Sequence, residues 1–392
     1  MKILVDKAFF KNSNFLIVEN DHVRWSCKKV SDFDCYISVG EDELSRFSSA
    51  FSIEKPEFFD NSIKKMCETL NIKSPSISKM LPSSFYNKKI KNLEKYIAEV
   101  KNLLTLEKYA QNYLDGNSIL NNLEKILVDK DSLKNIIKSE QNPTVKSTLK
   151  SFFPAQDDYC HKIRYNRNKT VTGRLVVESG PQVLLLPKKN KNIFKSRYQN
   201  GKIIWVDFIS LEPRFTKLLF SSETEKDLYS QILESVSLDL SREQVKIAVL
   251  SIIFGAGLSK LTETFGRDAL LIKKKISSFF KLEDVLELIE KSKKEEYRNY
   301  FGRPLKIKKK AKNVLINNYI QSSSVDVSLM GFSKLIKSCE NIRSLKPLAV
   351  VHDALVLDIK ESELEDFKQI INKGIDLKDL GKFYLGVETY ER

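Results

Sequence analysis

The chain has 392 residues, which is too long for one hydrophobic core and predicts two or three packed units. Hydrophobic residues make up 42% of it, which excludes wholesale disorder. Lys and Arg number 66 against 51 Asp and Glu, and the formal net charge of +15 favours a polyanionic partner such as nucleic acid. A basic surface without a function is the alternative.

The cysteines and the N-terminus indicate the compartment. The five cysteines are dispersed, without the paired spacing of a disulfide frame or a zinc site, so free thiols in a reducing compartment are expected. Charges interrupt the apolar residues of the N-terminus, which is not typical of a signal peptide, and no apolar run reaches the length of a membrane span. We expect a soluble, cytoplasmic protein without a membrane partner.

The N-terminal part of the chain changes from a strand pattern to a helix pattern. Short β-type runs at residues 2–5, 15–18 and 35–39 predict a small sheet without recognisable chemistry. After residue 60 the pattern is helical and rich in lysine. Long basic helices are suited to binding the backbone of a nucleic-acid duplex, although each lysine by itself is equally compatible with a solvated surface.

A basic segment at residues 161–175 contains Thr172-Gly173-Arg174. It predicts a strand with a turn that presents Arg174 to a phosphate or to a groove edge. The triplet is a weak signal by itself, and a plain surface turn is the alternative.

Residues 203–206 are branched or aromatic and lead directly into Asp207. They predict a buried strand that ends at Asp207, followed by a helix that Ser210 caps and that tolerates Pro213 in its first turn. A carboxylate at the end of a buried strand is costly unless a cation, a metal or water compensates its charge. Asp207 therefore belongs either to a capping loop or to a catalytic site.

A second informative stretch begins at residue 239. Ser241 and Gln244 have the spacing of a capping box, which predicts a helix start just before Arg242. Four residues then recur at every fourth position along one face: Arg242, Lys246, Leu250 and Phe254. Two cations near a positive helix N-terminus suit a triphosphate, and the apolar pair suits a sugar and a base. An ordinary amphipathic helix is the alternative.

Residues 348–358 form two apolar runs around the tip His352-Asp353, which is a β-hairpin pattern. Asp353 alone is compatible with a stabilised turn. Together with Asp207, however, it predicts a shared site for a divalent cation. Mg²⁺ suits such a site, because it takes one or two carboxylates plus substrate phosphates.

These motifs together resemble the polymerase domain of family A DNA polymerases, the bacterial DNA polymerase I type. The segment from Asp207 to Arg214 is similar to the first palm motif, residues 242–255 to the fingers helix, and residues 351–354 to the second palm motif. The Thr-Gly-Arg triplet precedes them as it does in the family. Two further residues, Asn317 and Gln321, resemble a duplex-contacting pair. Five motifs in the family's order carry the resemblance.

The resemblance implies an α+β fold of the right-hand type, with palm, thumb and fingers, an antiparallel palm sheet and a small N-terminal β-containing domain. The expected limits are residues 1–75 for the N-terminal domain, 76–165 for a helical thumb-like region, 166–225 for the first part of the palm, 226–321 for the fingers and 322–392 for the second part of the palm.

The implied activity is template-directed extension of a primer 3′ end with deoxynucleoside triphosphates by a two-metal mechanism. Asp207, Asp353 and the backbone carbonyl of Phe208 would hold two Mg²⁺ ions. Lys246 would bind the triphosphate together with Arg242 and would donate a proton to the pyrophosphate. The other nucleotide-binding residues would be Leu250, Phe254 and Glu212, of which Glu212 would exclude a ribose hydroxyl. The DNA-binding residues would be Arg174, Arg214, Asn317, Gln321 and His352.

The implied partners are primer–template DNA and dNTPs, in a prokaryotic or phage-infected cell and at its nucleoid. A helicase, a clamp or a separate exonuclease cannot be identified from the sequence. We expect no proofreading exonuclease in this chain, because residues 1–75 are few and lack the family's Asp-x-Glu start. The alternatives are a catalytically silent DNA-binding accessory protein and a single-subunit RNA polymerase, and Glu212 argues against the RNA polymerase.

Several positions depart from the family pattern. Phe254 replaces the usual tyrosine, so no phenol at that position can hydrogen-bond Glu212, and we expect ribonucleotide exclusion to be looser than in the family. The other departures are Leu250 for an aromatic residue, Ala354 for a glutamate, Asn313 for an arginine, and Leu184-Leu185 for an amide pair.

Overall fold

The computed structural model describes residues 2–19, 22–30, 33, 35–38, 51, 56–58, 61–72, 76–106, 108–154, 157–236, 239–291, 296–307, 311–377 and 379–389. The chain divides into two compact units, Met1–Asp115 and Gly116–Arg392. Among the described residues no helix has the length and apolar character that crossing a bilayer requires. The five domain limits implied by the resemblance stay predictions.

The first unit begins with a four-stranded sheet. Its strands are β1 (Lys2–Val5), β2 (Phe15–Glu19), β3 (His22–Ser26) and β4 (Cys35–Ile37), in the order β3-β2-β1-β4. Three of the four strands were predicted, and residue 39 of the third predicted run lies outside the described residues. Strand β3 was missed because its side chains are mostly exposed, so no apolar alternation marks it. Among the described residues that follow, the helices with defined bounds are α1 (Asn61–Thr69), α2 (Ile77–Met80) and α3 (Ser83–Leu106).

The second unit is mixed helix and sheet, as the predicted α+β class requires. Its helices are α4 (Lys108–Asn121, which crosses the unit limit), α5 (Lys130–Ser139), α6 (Pro143–Lys150), α7 (Leu211–Leu218), α8 (Leu228–Val236), α9 (Arg242–Ile253), α10 (Leu258–Phe265), α11 (Ala269–Phe279), α12 (Leu282–Lys291), α13 (Lys312–Ser338) and α14 (Leu364–Asn372). Its strands are β5 (Leu127–Val128), β6 (Arg164–Asn166), β7 (Val176–Ser179), β8 (Phe194–Lys195), β9 (Gly201–Phe208), β10 (Tyr297–Arg298), β11 (Pro304–Leu305), β12 (Lys346–Val351), β13 (Ala354–Lys360), β14 (Ile375–Leu377), β15 (Gly381–Phe383) and β16 (Leu385–Thr389).

The central sheet of this unit has the order β12-β13-β9-β16 and is antiparallel throughout. Strand β9 lies between β13 and β16, and its residues Ile204 and Val206 have no exposed surface. An interior strand buries both faces, which explains why the sequence pattern of residues 203–206 is continuously apolar. The predicted antiparallel palm sheet is therefore confirmed.

Helix α13 packs against the end of β9. The Phe208 and Phe332 rings lie 5.0 Å apart between centroids. A Cβ added at Gly331 would lie 2.7 Å from Phe208 Cζ, so only glycine allows this approach. The close packing positions the strand end that carries Asp207.

Helices α8 to α12 form a helical layer, and α9 begins as predicted. The Ser241 side chain accepts the Gln244 backbone N–H at 3.3 Å, and the Gln244 side chain accepts the Ser241 N–H at 2.8 Å. This reciprocal pair confirms the predicted capping box and the helix start at Arg242.

Candidate active site

The two predicted aspartates meet at one end of the central sheet. Asp207 pairs with Ala354 across β9 and β13, and the Phe208 N–H donates to the Asp353 carbonyl at 3.3 Å. His352 adopts a left-handed conformation, with φ 57°, at the hairpin tip between β12 and β13. The predicted strand end and the predicted hairpin are both confirmed, and their register brings Asp207 beside Asp353.

The charges of these carboxylates are poorly compensated by the protein. Burial, followed by the nearby charges of Asp353 and Glu388, raises the pKa of Asp207 to about 7. Burial also raises the pKa of Asp353, while a backbone hydrogen bond, His352 and Arg174 act in the opposite direction. The buried Oδ1 of Asp207 has no hydrogen-bond partner among the described residues. An orphaned carboxylate oxygen beside a second carboxylate is the arrangement that a cation would stabilise.

The carboxylate oxygens of Asp207 and Asp353 are donors of the kind that Mg²⁺ takes. Within the described ranges, no group of three or more His, Cys, Asp and Glu side chains is arranged to hold a metal. Two carboxylates leave the remaining coordination positions to backbone, water and substrate oxygens, which is the way Mg²⁺ is usually bound. The Phe208 carbonyl, next to Asp207 on β9, stays a predicted ligand.

A cavity of about 230 Å³ opens beside Asp353. Five residues predicted from separate motifs line it: Arg174, Glu212, Gln321, His352 and Asp353. The Arg174 Nη2 atom lies 3.9 Å from Glu212 Oε1. Burial raises the pKa of Glu212, and Asp353 raises it further. The fold thus gathers one basic group and four polar or acidic groups, Asp353 among them, around one space.

Ser210 was predicted to cap the helix that follows Asp207, and the structure shows a different arrangement. It occupies the N-cap position of α7, but its side chain makes no capping hydrogen bond. Its φ of 54° is left-handed, whereas a capping side chain requires an extended backbone. The Ser210 side chain instead lies near the phenol of Tyr229.

Four of the predicted nucleotide-binding residues lie on α9 or at its C-cap, and none of these four lines the cavity beside Asp353. Arg242 is bound to Asp227, with Nε 2.8 Å from Oδ2 and Nη2 3.1 Å from Oδ1. This pairing lowers the pKa of Asp227 to about 2. The remaining three residues are Lys246, which is exposed, Leu250, which is half-buried, and Phe254, which is exposed.

Tyr229 lies near both Arg242 of α9 and Glu212 at the cavity, and its position was not predicted from the sequence. Its side chain is 5% exposed, and the Arg242 guanidinium lies 5.6 Å from its ring centroid. Burial raises its pKa, and Glu212 also raises it, which indicates that the phenol lies near Glu212. In the sequence Tyr229 is one buried position of an amphipathic helix, so no local signal distinguishes it.

Arg214 was predicted to contact DNA, and the structure puts it in the core. Its side chain has no exposed surface, and its guanidinium donates to the carbonyls of Ile209, Glu225 and Lys226 at 3.2, 2.8 and 2.8 Å. An Arg head that satisfies three backbone acceptors stabilises the turn after β9 and does not face a duplex in this conformation. This burial was not predicted, because exposure cannot be inferred from residue type alone, and the DNA contact of Arg214 stays a prediction.

Asn317, four residues before Gln321 on α13, is half-buried. Its Oδ1 is buried and has no hydrogen-bond partner among the described residues. An unsatisfied amide oxygen is compatible with a ligand that the protein itself does not supply. The duplex contact of Asn317 stays a prediction.

Two charged residues near Asp207 were also missed. Glu388 pairs with Trp205 across β16 and β9, two positions from the residue opposite Asp207, and therefore lies on the same face of the sheet. The Lys191 ammonium lies 3.3 Å from the Trp205 ring centroid, and burial lowers its pKa while Glu388 and Asp207 raise it. Alternation along β16 could have located Glu388, but only the strand pairing relates it to Asp207.

Comparison with known proteins gives the family. The sequence profile described as DNA polymerase family A matches residues 56–388. The chain belongs to DNA polymerase family A. The family A match includes the strand end at Asp207, the α9 helix and the hairpin at Asp353.

Two relatives of this family A chain are DNA polymerase I proteins of Helicobacter pylori. The protein from strain J99 is 24% identical over 422 aligned residues, which cover 86% of this chain and 46% of the relative. The protein from strain 26695 is 25% identical over 323 residues, covering 72% of this chain and 35% of the relative. The chain therefore spans less than half the length of either relative. A solved POL domain of Pol1 from M. smegmatis, in complex with DNA primer-template and dNTP, matches with a TM-score of 0.49 and 19% identity over 67% of this chain and 55% of that one.

Proposed function

We propose that this chain is a template-directed DNA polymerase that extends a primer 3′ end with dNTPs. The observation that carries the proposal is the meeting of Asp207 and Asp353 at one sheet end in a chain of DNA polymerase family A. The two Helicobacter pylori relatives are named DNA polymerase I, which supports the same activity.

Asp207 and Asp353 would hold two Mg²⁺ ions, together with the Phe208 carbonyl. Bound Mg²⁺ would lower the pKa of the primer 3′-hydroxyl and neutralise charge on the leaving pyrophosphate. The buried, unpartnered Oδ1 of Asp207 and the raised pKa values of both carboxyl groups support this role, because a divalent cation would restore the ionised form of each.

The residues around the cavity would position the substrates. Glu212 would lie against the deoxyribose and exclude a 2′-hydroxyl, and Arg174, Gln321 and His352 would contact the primer–template. Their common cavity beside Asp353 supports this division of roles. Base pairing with the template would supply most of the sequence choice.

Helix α9 would bind the triphosphate through Arg242 and Lys246. Both side chains are exposed on the N-terminal half of α9, where the helix dipole favours an anion. Lys246 would also donate a proton to the leaving pyrophosphate. Leu250 and Phe254, further along the same face, would contact the sugar and the base.

Primer extension with and without the Asp353 carboxylate tests the proposal. Wild type should extend a primed template in Mg²⁺, and Asp353→Asn should lower the rate by ~10³-fold or more, since one metal ligand and its charge are lost. Binding to the same duplex should stay within about threefold, because phosphate contacts dominate affinity. Asp366→Asn, which changes an exposed aspartate on α14, is the matched control.

The outcomes separate the alternatives. Unchanged extension by Asp353→Asn would defeat the assignment of the catalytic site. Duplex binding by a wild type that extends nothing would support a catalytically silent accessory protein. Preference for ribonucleoside triphosphates would support a single-subunit RNA polymerase.

We also propose that this chain does not proofread. Asp6, the carboxylate after β1, accepts the Ala8 N–H at 2.8 Å and the Tyr36 hydroxyl, so both of its oxygens have structural roles. A primer with a mispaired 3′ end, incubated with enzyme and Mg²⁺ but without dNTPs, should keep its full length. Degradation of this primer by purified wild-type protein, if Asp6→Asn abolishes it, would contradict the proposal.

A further inference from the structure

A buried polar cluster lies behind the turn that carries Arg174. It consists of Arg167, Asn299, Arg303 and Asp326, all less than 9% exposed. We call it the Arg303 cluster. Its members come from the β6–β7 segment, from the β10–β11 hairpin and from α13, so it joins three elements that are distant in sequence.

Arg303 is the member that touches the turn. Its Nη2 donates to the Arg167 carbonyl at 2.7 Å, and its backbone N–H donates to Asn299 Oδ1 at 2.8 Å. A Cβ added at Gly173 would lie 2.6 Å from Arg303 Cζ, so the guanidinium occupies the space where a side chain at residue 173 would be. The Gly173 φ of +76° is also one that side chains rarely adopt.

The other end of the cluster holds α13. Arg167 and Asp326 form an ion pair whose side chains are 2% and 1% exposed. The Asn299 amide donates to Asp326 Oδ2 at 2.6 Å and to Ser322 Oγ at 3.1 Å. Ser322 and Asp326 flank Ser324, which lines the cavity together with Gln321 of the same helix. The cluster therefore connects the turn at Gly173 to the α13 residues that line the cavity.

The energetics of such a cluster favour positioning over stability. A buried ion pair offsets its own desolvation only with good geometry, so its net contribution to stability is small, whereas it strongly specifies one arrangement. Arginine is required at residue 303 because its planar fork can contact the turn and the Arg167 carbonyl together, which a lysine ammonium cannot.

We propose that Arg303 is a positioning residue that holds Arg174 at the cavity, through the turn at Gly173 and the Arg167–Asp326 pair. The catalytic part of this proposal rests on the proposed polymerase function. The structural part, the placement of the turn, does not.

Hydrogen exchange tests the placement without requiring activity. Arg303→Met should raise the exchange rate of amides in residues 168–176 by about tenfold or more, because the turn loses its contact with the Arg303 guanidinium. Arg303→Lys, which retains the charge, should fold readily and give a smaller increase in the same residues. Arg298→Met is the matched control, since Arg298 lies on the same hairpin, donates to the Gly302 carbonyl at 3.2 Å and is outside the cluster. Exchange of residues 168–176 that stays at the wild-type rate in both Arg303 variants would overturn the proposal.

The catalytic part of the proposal is tested by steady-state primer extension, in which Arg303→Met is compared with Arg174→Ala and with the double variant. Arg303→Met should lower kcat/KM for dNTP addition by ~10- to 100-fold, the usual effect of misplacing a substrate contact. It should change kcat and KM in the same sense as Arg174→Ala, and the double variant should lie within about twofold of Arg174→Ala alone. Losses that multiply would overturn the proposal, because Arg303 would then act independently of Arg174. A wild type that extends no primer would overturn the proposed function instead, and the exchange result would still decide whether Arg303 positions the turn.

Discussion

Glu212 has the surroundings expected of a residue that senses the sugar. It is half-buried near Asp353, and Arg174 Nη2 lies 3.9 Å from its Oε1. The phenylalanine at residue 254 has no phenol that could hydrogen-bond Glu212, while Tyr229 brings a different phenol near Glu212. The strength of the proposed ribonucleotide exclusion would therefore depend on which phenol, if either, supports Glu212.

The sequence hypothesis predicts that Phe254→Tyr strengthens ribonucleotide exclusion. One added hydrogen bond to a buried carboxylate should raise the ratio of dNTP to rNTP incorporation by about three- to tenfold. The measurement is single-nucleotide insertion with each of the paired substrates. Phe153→Tyr, at another exposed phenylalanine, controls for an added hydroxyl. An unchanged ratio in Phe254→Tyr, combined with a lower ratio in Tyr229→Phe, would show that Tyr229 already serves Glu212.

At the scale of elements, an ion pair joins helices α8 and α9 at Arg242, the proposed triphosphate-binding residue. Asp227 caps the start of α8 by accepting the Tyr229 N–H at 3.2 Å, and it binds Arg242 of α9 with the same carboxylate. Its pKa of about 2 means that the ion pair is present above the ordinary carboxyl pKa and is lost only as the pH falls through about 2. At neutral pH, Asp227 would therefore compete with the proposed triphosphate for one guanidinium.

We predict that Asp227→Asn lowers KM for the dNTP by about two- to fivefold, because an exposed ion pair of this kind is worth at most about 1 kcal/mol. Asparagine keeps the capping role, so α8 should stay folded. The control is Glu234→Gln, at an exposed position of the same helix. A raised KM would contradict the competition and would mean that Asp227 orients Arg242 for substrate.

At the scale of the whole molecule, the net charge of +15 predicts salt-sensitive DNA binding. Each neutralised phosphate releases counterions, so the affinity should fall more than about tenfold between roughly 50 and 200 mM salt. The double variant Lys88→Gln, Lys91→Gln removes two exposed cations from α3 and should reduce the salt slope by about 2 if this helix contacts the duplex backbone. Glu94→Gln on the same helix should not reduce it. A slope equal to that of wild type in the lysine variant would contradict a backbone grip by α3.

The sequence by itself determined the elements that carry the chemistry. The apolar run before Asp207, the hairpin around Asp353 and the capping box at Ser241 are local patterns, and each lies where the pattern predicts. Strand β3 was not predictable because its exposed residues do not alternate, and the left-handed backbone of Ser210 follows from its neighbours and not from its own preference.

Only the tertiary structure decided which side chains share a space. Strand pairing brings Asp207 next to Asp353 and Glu388, and long-range packing buries Arg214 and Arg167, which the sequence does not distinguish from the exposed Arg174. Tyr229 and Arg303 acquire their proposed roles from partners outside their own elements, because burial and hydrogen-bond geometry are set by contacts that no local pattern encodes.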